Sequence, residues 1–123
     1  MLEVYSTDLE ITADTFVAFQ NVSVKKGSTA ELTGTGTIEL NKCGVYMVSV
    51  DASASVATSL QLYKNGIAQP QAQGTGTTPS FITLVQVPEN NCCCPCTSGV
   101  TLQVMNSTEA VLSNVNCVVT KIV

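Results

Sequence analysis

The stretch "VYMVSVDASAS" (Val45–Ser55) reads as a β-strand and decides the fold class. Tyr46, Val48, Val50, Ala52 and Ala54 recur at period two, and residues so spaced share one face of an extended chain. Val45 and Met47 fall on the opposite face, so that face is not wholly polar. Working outward, the same rhythm repeats: short alternating segments separated by clusters of Gly, Pro, Asn and Ser.

Upstream, "STAELTGTGTIEL" (Ser28–Leu40) alternates, and Gly34 and Gly36 predict a bulge or kink at its centre. "NKCG" (Asn41–Gly44) is a turn. "TFVAFQNVSV" (Thr15–Val24) is extended, and Lys25–Gly27 is a turn. Leu2–Tyr5 predicts a short edge strand. Residues 1–14 read as an N-terminal arm, a candidate anchor to a particle, ahead of a single domain over 15–123.

Downstream, "SLQLYKNG" (Ser59–Gly66) places Leu60 and Leu62 on one face and meets Asn65-Gly66, a strong two-residue hairpin signal. "IAQPQAQ" (Ile67–Gln73) is the return strand, and Pro70 confines it to an edge or a bulge. Gly74–Ser80 reads as a flexible loop, Phe81–Val87 as a strand ended by Pro88, and Glu89–Gly99 as a second loop. Val100–Asn106 alternates cleanly. Asn114–Val123 is apolar on both faces, which predicts a central strand. The physical solution for about 8–10 antiparallel strands without a convincing helix is an all-β sandwich, with a jelly roll favoured. An immunoglobulin-like sandwich is the second choice, although the buried Trp of such domains has no counterpart in a chain without Trp.

Charged residues make up 11% of the 123 residues, against about 25% in an ordinary soluble domain. Too few charges to wet both faces of every sheet predict burial against copies of the same chain. The net charge is −4. All five cationic side chains are Lys, and a basic patch of the kind nucleic acid needs is excluded. Without His, the chain lacks the general acid–base side chain that titrates near neutrality and the commonest transition-metal ligand, while a paired-carboxylate enzyme stays formally open with nine acids and no particular pair indicated. No apolar run is long enough to cross a bilayer as a helix, and the acidic N-terminus does not resemble a secretory signal.

"GTGTIELNKCGVYMVSVDASAS" (Gly34–Ser55) resembles the tumour necrosis factor-like jelly-roll superfamily, which includes complement globular heads. Ile38 and Leu40 stand where that family has an "I-x-L" strand, and Gly44, Tyr46 and Val48 where "G-x-Y-x-V" opens a long core strand. "LQLYKNG" (Leu60–Gly66) is similar to the next strand and hairpin, and "VVTKIV" (Val118–Val123) to the closing strand. The low aromatic content departs from the family's pattern. The resemblance implies a homotrimer, with Tyr46, Met47, Val48, Val118 and Ile122 as candidate contact residues. It further implies a non-enzymatic role. The first expectation is a phage capsid decoration or head-fibre domain on a virion surface, meeting a capsid protein or a host glycan or protein. The alternative is a secreted or surface ligand-binding head of the complement or tumour necrosis factor-like type. The uncharged segment Gly74, Thr75, Gly76, Thr77, Thr78 and Pro79 is the expected exposed binding loop.

Six cysteines remain: Cys43, Cys92, Cys93, Cys94, Cys96 and Cys117. Three chemistries fit them. Disulfides require an oxidising compartment. A Zn²⁺ site could use the C-x-x-C pair Cys93 and Cys96, with Cys43 and Cys117 or other copies closing it. A redox C-x-x-C needs a following helix to lower the thiol pKa, and "TSGVTLQV" offers none. The acidic cluster Asp8, Glu10 and Asp14 reads as a solvated edge, and the acceptor patterns at Asn21 and Asn106 as chance matches.

Overall fold

The computed structural model describes residues 1–27, 29–88 and 100–123. They form eleven strands: β1 (Leu2–Ile11), β2 (Thr15–Phe16), β3 (Asn21–Lys25), β4 (Ala30–Thr33), β5 (Thr37–Leu40), β6 (Gly44–Ala54), β7 (Thr58–Lys64), β8 (Ile67–Gly76), β9 (Ser80–Val87), β10 (Val100–Asn106) and β11 (Ala110–Lys121). Among the described residues no helix is long and apolar enough to cross a membrane. One sheet has the order β3-β1-β11-β6-β9. The other runs β4-β5-β10-β7-β8, with β2 added beside β10. Every pairing is antiparallel.

The core lies between the sheets and is built from period-two residues. On β6, Tyr46, Val48, Val50 and Ala52 point inward, as their spacing predicts. Leu60 and Leu62 on β7, Leu102 and Val104 on β10, and Val115 and Val119 on β11 meet them. Tyr46 is fully buried, and its hydroxyl donates to the Lys42 carbonyl at 2.7 Å, so the aromatic body fills the core while its polar tip stays satisfied.

The N-terminus departs from expectation. Residues 1–14 are neither an arm nor an edge: β1 is a ten-residue strand paired on one side with β11 and on the other with β3. Leu2 and Val4 are fully buried. Ser6 is buried too, and its hydroxyl donates to the Ala18 carbonyl at 2.6 Å while accepting from the Gln20 amide at 2.8 Å. This pin holds the segment after β2, where Val17 and Phe19 plug into the core. The alternation of β1 breaks at Asp8, which takes a left-handed conformation with φ 50°.

Two other segments differ. Thr33 pairs with Thr37, so Gly34–Gly36 is a hairpin turn rather than a kink within one strand. The expected flexible loop at Gly74–Ser80 begins inside β8 and ends at the first residue of β9. The Ala54 amide donates to the Thr77 carbonyl at 2.7 Å and the Ala52 amide to the Pro79 carbonyl at 3.1 Å, so the turn is tied to β6. The Asn65-Gly66 hairpin forms as read, with both residues at positive φ, 52° and 80°. Pro70 lies on edge strand β8, within the register shift against β7.

Candidate functional site

The five-stranded sheet has an outer face on which the described residues leave apolar side chains exposed, and register shows what lies on it. Ile82 pairs with Ser49, Ser49 with Val118, and Val118 with Glu3. One step along, Leu84 pairs with Met47 and Met47 with Thr120. Beyond them Gln86 pairs with Val45, whose carbonyl accepts the Ile122 amide at 2.8 Å. Val45, Met47, Ile82, Leu84, Val118 and Ile122 therefore lie together across β9, β6 and the end of β11. Ile82 is 69% exposed, Leu84 58% and Ile122 50%. Branched apolar side chains on the solvent side of an edge strand invite coverage by another molecule.

At the other end of this face the residues become polar. Ser80, Asp51, Asn116, Tyr5 and Asn21 follow one another across the sheet. Glu3 accepts from the Ser23 hydroxyl at 2.6 Å and from the Asn116 amide at 3.1 Å, and these bonds, Ser23 first, hold its carboxyl below the ordinary value.

Met47, Val118 and Ile122, three of the residues expected at a subunit contact, lie on this face. Tyr46 and Val48 are not. Both point between the sheets and are fully buried by their own chain, so no neighbouring copy can reach them without opening the sandwich. Ile82 and Leu84 share this face and were not among the residues expected at a contact. The available signal was a strand, "FITLVQV", apolar at both parities.

In the expected binding loop, Thr75, Thr77 and Thr78 are exposed, Gly74 and Gly76 are half-buried, and Pro79 is buried. Only the threonines face solvent fully. Gly74 has a packing role, because a Cβ there would meet the Ser80 carbonyl oxygen and amide nitrogen.

Cys43 is disulfide-bonded. Cys117 is a free thiol in the core, pushed up to about 12 by burial and, secondarily, by Asp51. A disulfide sulfur and a buried protonated thiol do not supply the thiolates zinc requires, so Cys43 and Cys117 do not close a Zn²⁺ site. Cys92, Cys93, Cys94 and Cys96 lie outside the described residues. Among the described residues, no group of three or more Cys, Asp or Glu side chains is placed to hold a metal ion.

Two shallow grooves lie at the ends of the sandwich. One, of ≈ 390 Å³, runs beside Glu10, Ile11, Ser55 and Glu109, and the other, of ≈ 460 Å³, beside Val45, Gln86, Lys121 and Val123. Neither gathers a nucleophile with a base.

No protein-family model and no curated protein sequence matches the chain. Among solved structures, the crystal structure of rabbit GITRL matches it with a TM-score of 0.62 at 12% identity, over 100% of this chain and 95% of that one. The fold is tumour necrosis factor-like. GITRL is a ligand of the tumour necrosis factor family. At 12% identity the likeness carries the architecture, and it does not reach a capsid, a virus particle or a glycan.

Proposed function

We propose that this chain is a non-enzymatic, ligand-type binding head that works as a homotrimer, its copies packed through the outer face of the five-stranded sheet. The observation that carries the reading is the apolar field formed by Val45, Met47, Ile82, Leu84, Val118 and Ile122 on a face where Ile82, Leu84 and Ile122 are exposed. Its burial would stabilise the assembly at roughly 25 cal/mol per Å² of apolar surface removed from water, offset by the cost of association. A ring closed by rotation is the common way for identical chains to cover such faces without growing into fibres. The similarity to a trimer-forming type of fold and the shortage of charge support the same arrangement.

Two observations support an extracellular setting. The disulfide at Cys43 calls for an oxidising compartment, and the structural neighbour is a ligand. The same neighbour favours the ligand-head alternative over the expected phage decoration role, which draws no support from the structure. The absence of His leaves the chain without the usual neutral-pH acid–base group, in keeping with binding rather than catalysis.

Sedimentation equilibrium of the wild-type protein and of Leu84→Lys tests this. The wild type is expected at three times the 12.9 kDa chain mass, and the variant at the single-chain mass with an unchanged far-ultraviolet circular dichroism spectrum. A wild type that stays at single-chain mass when concentrated, or a Leu84→Lys protein that remains trimeric, overturns the proposal.

A further inference from the structure

Asn65 is the only asparagine in the chain that is followed by glycine. A glycine leaves the next backbone nitrogen unshielded, and at the tip of the β7–β8 turn both residues are exposed. A Cβ on Gly66 would meet nothing within 4 Å, so the tip is open space. Asparagine in that setting is prone to attack by its own main chain. The backbone nitrogen of the following residue loses its proton to water and bonds to the carboxamide carbon. The side-chain nitrogen then leaves as ammonia. The resulting five-membered imide takes up one water and opens to aspartate or isoaspartate.

The folded hairpin opposes this step. The Asn65 Oδ1 accepts from the Thr101 amide at 2.8 Å and the Thr101 hydroxyl at 3.3 Å. The Asn65 amide donates to the Thr101 carbonyl at 2.9 Å. These bonds hold the carboxamide on β10, and φ 52° keeps the residue in the left-handed turn. Cyclisation needs the carboxamide carbon to swing onto the Gly66 nitrogen, which requires that the Thr101 contacts break.

Asn106, followed by Ser107, is a second candidate by neighbour size. Its side chain is fully buried, with Oδ1 accepting from Thr58 and Nδ2 donating to the Thr108 carbonyl at 2.6 Å. It has neither solvent nor freedom to rotate.

We propose that Asn65 is this chain's site of spontaneous deamidation, with the rate set by opening of the β7–β8 hairpin away from Thr101. The consequence is local but distinct. Asn65–Pro88 contains no Asp, Glu, Lys or Arg, so the product places a negative charge at the head of a charge-free flank. Aspartate keeps a side-chain acceptor in reach of the Thr101 amide. Isoaspartate lengthens the main chain by one carbon and loses that register.

The test is peptide mapping by mass spectrometry after parallel incubation of the native protein and of the same protein in concentrated guanidinium, at mildly alkaline pH. The expected result is conversion at Asn65 ahead of every other asparagine in the unfolded chain. In the folded protein the rate at Asn65 should be lower by roughly tenfold or more, as for a reaction that waits on local opening. A smaller ratio overturns the gating, and first conversion elsewhere, or none at Asn65 in the unfolded chain, overturns the site. Neither outcome depends on whether the chain forms trimers.

Discussion

Cys117 shows what a single residue can conceal. It lies in mid-strand on β11, opposite Val4 on one side and Val50 on the other, with 1% of its surface exposed. Burial raises its thiol from 9.0 to about 12, so the folded chain keeps a proton that the unfolded chain gives up. The sign follows. The stability tied to this group is intact below about pH 9 and is lost as pH rises toward 12. Denaturant titrations above pH 9 should therefore show stability declining with pH, with a shallower decline in Cys117→Ala. Ser6 and Asn106 were equally hard to foresee. Both are polar, both are fully buried, and each is satisfied by partners more than ten residues away as well as by its own surroundings. Nothing in their immediate sequence names Ala18, Gln20 or Thr58.

At the scale of elements, the long alternating segments were legible. β6, β7 and β10 lie where period two places them, and the hydrophobic run at the C-terminus is the central strand it was read to be, between β1 and β6. The misread segments are those in which local polarity and tertiary role disagree. β1 carries Glu3, Asp8 and Glu10, yet Leu2, Val4 and Ile11 bury its inner side. The turn after β8 is uncharged and rich in Gly and Thr, yet backbone bonds to β6 hold it. Gly74 is the element-scale test. Its Cα faces the Ser80 backbone, which cannot move aside as a flexible side chain would. Gly74→Ala should destabilise the protein by about 1–3 kcal/mol, the usual cost of overpacking, measurable by thermal or chemical unfolding. Gly66→Ala meets no atoms within 4 Å and should show only the smaller strain of positive φ, about 1–2 kcal/mol.

For the whole molecule, the balance is between an apolar surface and a chain with net charge −4. In the proposed trimer, copies packed through Val45, Met47, Ile82, Leu84, Val118 and Ile122 would gain from apolar burial while their like charges would repel. Raising the salt from about 0.1 M to about 1 M screens the repulsion and does not weaken apolar contact. The proposed trimer is therefore expected to dissociate no more readily at high salt, as read by light scattering over a dilution series. Marked dissociation on adding salt would mean that ion pairs, rather than this face, hold the copies together. Among the described residues one ion pair is formed within the chain, Lys25 with Glu31 at 3.4 Å, and both side chains are largely exposed. Such a pair adds little to the stability of the fold.

The sequence by itself determined the all-β class, the sandwich, the Asn65-Gly66 turn and the shortage of charge, because these depend on the order of neighbouring residues and on composition. It also placed Met47, Val118 and Ile122 among the outward candidates. Only the tertiary structure decided that Tyr46 and Val48 belong to the inside, that Leu2–Ile11 is part of the sheet, and that Ile82 and Leu84 share its outer face. Period two says which residues share a side of a strand. Which side faces the second sheet is decided only when strands distant in sequence come together.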